Sequence, residues 1–113
     1  MNKSIRIVIF LSCLVLFPGS IWAGTAGWTS YGRVIELHPT TSGRFLVKMN
    51  LASNPSGCRN EEWFYRDYTG LGVELIFHAL LGAITSGIPA RVYVTGRCDL
   101  NGYSEISSAS ISP

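Results

Sequence analysis

The stretch VELIFHALLGAITSGIPARVYVTGRC, Val73 to Cys98, decides the fold, because within it the hydrophobic period changes from 3.6 to 2. Val73, Ile76, Phe77, Leu80, Leu81 and Ile84 form one stripe of an amphipathic helix, and Gly87 with Ile88-Pro89 ends it. Gly82 costs the helix about 1 kcal/mol relative to alanine, and a small residue there would let a strand approach closely. From Ala90 to Cys98 the pattern alternates, with Val92 and Val94 against Arg91, Tyr93 and Thr95, which predicts a half-buried strand.

Working outward, three strands are predicted before the helix and one after this pair. Tyr31 to His38 places Ile35 and Leu37 on one side and Glu36 and His38 on the other, with Arg33 breaking the apolar side. Arg33 is then either at a rim or paired with Glu36 or Glu105. Arg44 to Met49 alternates Phe45, Val47 and Met49 against Arg44 and Lys48, and the turn between makes a hairpin. Glu62 to Asp67 carries Trp63, Phe64 and Tyr65 in a row, a strand-favouring run in which Trp63 and Phe64 are expected in the core. Beyond Cys98, Asp99-Leu100-Asn101-Gly102 reads as a hairpin turn. The last strand, Tyr103 to Ser112, shifts phase between Ile106 and Ala109, which predicts a bulge.

Three strands, a helix and two strands is the order of an OB-like five-stranded Greek-key barrel, mainly β, with one amphipathic helix between strands 3 and 4. Curling the sheet covers an apolar face too large to leave wet, and the helix plugs one end. The same pattern also permits an α+β sandwich, with the helix on one face of an open antiparallel sheet.

Residues 1–23 read as a secretory signal peptide, leaving 24–113 as a single OB-like domain. Lys3 and Arg6 form a basic front, Ile7 to Phe17 is nearly all apolar, and Pro18-Gly19 precedes Ile21-Trp22-Ala23, with cleavage expected after Ala23. The apolar run of about 11 residues is too short for a bilayer core that needs about 20, so no membrane span is expected after signal removal. The expected location is secreted or periplasmic. Of nine basic residues two leave with the signal, whereas all seven acidic residues lie beyond it, so the mature domain carries 7 − 7 = 0 net charge. Neutrality, with the remaining Arg and Lys spread along the chain, argues against nucleic acid as a partner.

Cys13 falls in the signal, which leaves Cys58 and Cys98 as the two thiols of the mature domain. In an oxidising compartment the pair is expected to form a disulfide. The loop of about 40 residues corresponds to roughly 4 kcal/mol in the chain-entropy account. Nothing predicts catalysis, a metal or a cofactor. His38 and His78 are the two histidines, no His-x-x-x-His or Ser-His-Asp arrangement stands out, and Glu61-Glu62 and Asp67 read as solvated charge. Trp28, Tyr31, Trp63, Tyr65, Tyr68, Tyr93 and Tyr103 are many polar-tipped rings for so small a domain, as sugar recognition or a protein interface would use. Trp28, near the new amino terminus, is either a packed anchor or an exposed contact.

The segments Arg33-Val34-Ile35-Glu36-Leu37-His38 and Thr85-Ser86-Gly87-Ile88-Pro89-Ala90-Arg91-Val92-Tyr93, the second entered directly from the helix, resemble the B subunits of subtilase-cytotoxin and pertussis-like AB5 toxins. Asn54-Pro55-x-Gly57-Cys58, the helix and Gly96-x-Cys98 also resemble a set of small exported bacterial proteins of uncharacterised role, over about Trp28 to Ile111. The toxin resemblance implies an OB-like fold, a pentameric ring, and sialylated-glycan recognition by a serine and an aromatic near the first strand. Thr29, Ser30 and Tyr31 match those positions in type, and Tyr68 joins them as a candidate ligand-binding ring. The chain lacks the tryptophan-rich stretch that many of those subunits carry after strand four. The expected role is a non-catalytic binding module with a sialylated glycan or a protein as partner, and a homo-oligomer, the pentamer, as its assembly. The alternative is a structural or interaction protein of the bacterial envelope with no small ligand. On the glycan reading, replacing Ser30 and Tyr31 by Ala and Phe is expected to abolish binding with the melting temperature nearly unchanged.

Overall fold

The computed structural model describes residues 24–113; the segment read as a signal peptide, with Cys13, lies outside the described residues. The elements are β1 (Gly27–Trp28), β2 (Arg33–Pro39), β3 (Arg44–Asn50), β4 (Trp63–Asp67), helix α1 (Val73–Ser86), β5 (Ala90–Cys98) and β6 (Ser104–Ile111). The six strands form one open sheet in the order β1-β5-β6-β4-β3-β2, antiparallel throughout except where β4 and β6 run parallel. Among the described residues the fold is therefore mainly β with one helix, and its strand count differs from the expected five.

The additional strand is β1, whose Gly27 and Trp28 pair with Val94 and Tyr93 of β5. Four residues later Gly32 exchanges two hydrogen bonds of 2.8 Å with Ala90, immediately ahead of β2. A side chain at residue 32 would overlap the Asn50 carbonyl oxygen, so glycine is what lets the chain pass between β3 and β5 here. One continuous segment thus bonds to β5 at its start and to β3 at its end.

Alternation places the core as the sequence indicates on β3 and β5. Phe45, Val47 and Met49 of β3, Phe64 of β4, Ala90, Val92 and Val94 of β5 and Ile106 of β6 are fully buried, and Ile76, Leu80 and Ala83 of α1 close over them. Trp63 is only half-buried and stacks on Tyr103, with centroids 5.9 Å apart, so Phe64 and Tyr65 are the buried aromatics of that triplet, and of these Phe64 joins the main core cluster.

Strand β2 departs from the expected phase. The register against β3 skips Ile35, a bulge that turns Ile35 outward at 51% exposure and brings Val34 and Leu37 to the inner side. An extra residue reverses the two-residue period at that point, so Ile35 and Leu37 do not share a face. The expected bulge in the last strand is present: the β5 register passes from Tyr93–Ser108 to Val94–Ile106, leaving Ser107 over.

Two helix expectations need correction. Leu81 is 40% exposed, and Ala83 takes its place in the buried stripe with Ile76 and Leu80. A Cβ on Gly82 would meet nothing within 4 Å, so no strand approaches it. The helix ends as read: the Gly87 and Ile88 amides both donate to the Ala83 carbonyl. Among the described residues no helix is long and apolar enough to cross a membrane.

The β5–β6 turn is set by Asp99. Its Oδ1 accepts from the Asn101 and Tyr103 amides, both at 2.9 Å, and Gly102 alone takes a positive φ, of 84°. That is a type I turn closed by a left-handed glycine. Cys58 and Cys98 form the expected disulfide, tying the loop before β4 to the end of β5 across a Cα separation of 5.6 Å.

Candidate binding surface

Thr29, Ser30 and Tyr31 lie between β1 and β2, and each is held differently. Thr29 is buried; its hydroxyl donates to the Ser30 carbonyl and accepts from the Val92 amide at 3.1 Å, filling the gap in the ladder to β5. The Ser30 hydroxyl accepts from the Ala52 and Ser53 amides at 3.1 and 3.0 Å and faces the Ser53 carbonyl at 3.5 Å. A hydroxyl has one donor and two acceptor sites, so Ser30 is fully occupied in fastening the loop after β3. Tyr31 is the exposed member, at 42%, with its hydroxyl 3.2 Å from that of Ser110.

Tyr31 belongs to a cluster that no single segment of the sequence displays. Pairing of Trp28 with Tyr93 sets their rings edge to face at 5.4 Å. Two residues earlier on β5, the Arg91 guanidinium stands over the Trp28 ring at 4.4 Å and over the Tyr31 ring at 5.0 Å. Arg91 makes no ion pair among the described residues, and its buried Nε has no hydrogen-bond partner. Ser108 and Ser110 of β6 sit opposite Tyr93 and Arg91 in the register. The result is an outward platform of three rings, two hydroxyls and one cation without an anion. Rings and guanidinium hold one another at about 0.5–1 kcal/mol per contact, which fixes the charge while leaving it unneutralised. Arg91 is the residue that sequence reasoning missed. Alternation put it on the outer face with Tyr93, but its neighbour Trp28 is 63 positions away.

Tyr68 is elsewhere. Its hydroxyl donates to the Thr40 carbonyl at 2.6 Å and accepts from the Thr40 amide at 2.9 Å, at the far end of β2 from Tyr31. The nine residue steps from Tyr31 to Thr40 span about 25–30 Å at the usual strand rise, so the four candidate residues form no single site. Arg33 pairs with neither Glu36 nor Glu105; a guanidinium nitrogen lies 3.8 Å from where a Gly87 side chain would begin, beside the carboxyl end of α1. Glu105 instead accepts from the Thr95 hydroxyl at 2.8 Å.

A second polar arrangement covers the outer side of β4. The Arg44 guanidinium lies 3.9 Å over the Tyr65 ring and pairs with Asp67 at 3.1 Å and Asp99 at 2.7 Å. Beneath it Tyr65 is nearly fully buried, and burial first, then the Glu105 charge, pushes its phenol above the ordinary pKa of 10.0, while Arg44 and Arg97 pull the other way and Asp99 adds to the rise. The Arg44 pairs are mutually satisfied, so this arrangement reads as a brace for the Asp99 turn. No protein-family model matches the chain, and no curated protein matches it.

Proposed function

We propose that this chain is a non-catalytic binding module that works outside the cytoplasm and recognises an acidic, sialylated glycan on the Trp28–Tyr31–Arg91 platform. The observation that carries the reading is Arg91, clamped between two exposed rings and lacking an anion of its own. A sugar carboxylate would supply that anion, ring faces would take the apolar side of the pyranose, and the Ser108 and Ser110 hydroxyls lie in register beside it. The engaged Ser30 hydroxyl assigns that residue to positioning the loop, with Tyr31 as the ring that meets ligand.

The same reading takes the sheet to be closed as an OB-like barrel of the AB5 B-subunit kind. Support comes from the Gly32–Ala90 pair, which joins the segment leading into β2 to β5 and so links strands from opposite ends of the sheet. The Cys58–Cys98 disulfide fits an oxidising compartment. A second reading, an envelope interaction protein without a small ligand, is favoured by Leu71 and Leu75, exposed at 90% and 75% near the start of α1.

The full chain, expressed with export and purified, separates the two. Sialylated and desialylated versions of the same glycans are compared on an array, and light scattering gives the assembly state. The glycan reading expects retention of the sialylated forms and at least a tenfold loss in Arg91→Gln, with Arg91→Lys intermediate. Equal binding with and without sialic acid, or full binding by Arg91→Gln, overturns it. An assembly with no glycan retention favours the interaction protein.

A further inference from the structure

At the end of β2 opposite the platform, a cleft of about 420 Å³ opens beside the first half of α1, lined by Phe45, Tyr68, Val73, Glu74, Phe77 and His78. Its volume lies in the range of small-molecule sites. Its walls are built before any ligand arrives. Phe45 and Phe77 meet edge to face at 5.3 Å, His78 sets its ring against Phe77 at 6.3 Å, and both hydrogen bonds of the Tyr68 hydroxyl go to Thr40. The second feature is charge. Among the described residues, Glu74 is the one carboxylate of the lining, no Lys or Arg lines the cleft, and Glu74 takes part in no ion pair or hydrogen bond.

Aromatic faces carry negative potential, and a carboxylate beside them adds a full charge of the same sign. Such a lining disfavours anions, and an uncharged occupant can offer Glu74 at most a neutral hydrogen bond. A cation with an apolar surface satisfies both parts: its alkyl groups lie on the rings and its charge faces the carboxylate. We propose that this cleft is a binding site for a small organic cation of the quaternary or alkylammonium class, separate from the platform and independent of the glycan reading. Tyr68, singled out among the rings of the sequence, then acts here as a wall of the cation site.

The test uses choline as probe and 3,3-dimethylbutanol, its neutral carbon isostere, as control, each titrated into the isotopically labelled full chain and followed by NMR. The proposal expects saturable shifts confined to Tyr68, Val73, Glu74, Phe77 and His78, with the neutral control at least tenfold weaker. Glu74→Gln, at an exposed position that does not support the core, is expected to weaken the cation about fivefold and leave the neutral control unchanged. Shifts that rise linearly without saturation, equal affinity for cation and neutral control, or an unaltered affinity in Glu74→Gln would each overturn it. The comparison of the two probes on the unaltered protein stands even without the variant.

Discussion

Ser30→Ala separates a residue that builds the surface from one that touches the ligand. The substitution removes the acceptor for the Ala52 and Ser53 amides, at 3.1 and 3.0 Å, and the weaker contact to the Ser53 carbonyl at 3.5 Å. Each amide hydrogen bond is worth about 0.5–1 kcal/mol net where water can replace the partner, as it can in this exposed loop, so the loss is about 1.5 kcal/mol. For a domain of this size that lowers the melting temperature by about 6–12 °C. The Ser30 amide bond to the Ser53 carbonyl, at 3.2 Å, survives and keeps the chain in place. Calorimetry on the unaltered protein, Ser30→Ala and Tyr31→Phe, with glycan affinity measured well below both transitions, gives the answer. Ser30→Ala should melt early yet bind within about threefold of normal, whereas Tyr31→Phe should melt within about 2 °C of the unaltered protein, its hydroxyl contact to Ser110 being exposed. A melting temperature for Ser30→Ala unchanged within 1 °C would refute this account of the hydroxyl. The structure thus separates the pair expected from sequence to be thermally silent: the Tyr31 change should be silent, and the Ser30 change should not.

Two further predictions concern the frame. Because burial raises the Tyr65 phenol above 10.0, its contribution is fully present below the unfolded pKa and is lost as pH rises through the folded one. Denaturant melts should therefore weaken above about pH 10, and Tyr65→Phe should flatten that slope while changing neutral-pH stability little; an unaltered slope counts against the assignment. Replacing both Cys58 and Cys98 by Ala opens a 40-residue loop and should cost about 4 kcal/mol, read as a fall in the denaturation midpoint; a cost under 1 kcal/mol would mean the unfolded chain is already constrained.

Parts of the molecule were legible because they are local. The stripe Val73 to Ile84, the stop at Gly87 and the alternation from Ala90 to Cys98 each involve residues within a few positions of one another, and α1 and β5 appear where those patterns put them. The turn at Asp99 is likewise a matter of four neighbours. Ile35 was misplaced because a bulge is a property of two paired strands: the extra residue exists only relative to β3. Gly82 and Leu81 were misread because the helix stripe is wide, and which of its edges is covered depends on what packs there.

The sequence by itself determined strands β2 to β6 and helix α1, the order in which they occur and the two cysteines available to be joined, since periodicity, turn chemistry and cysteine count are written within short windows; β1 it did not show. Only the tertiary structure decided that Trp28 pairs beside Tyr93, that Arg91 lies between Trp28 and Tyr31, that the Ser30 hydroxyl is spent on a loop, and that Tyr68 walls a different cleft. Each of these depends on pairing across large separations, and a shift of one residue between β1 and β5 would turn Trp28 away from the face that carries Tyr93 and Arg91.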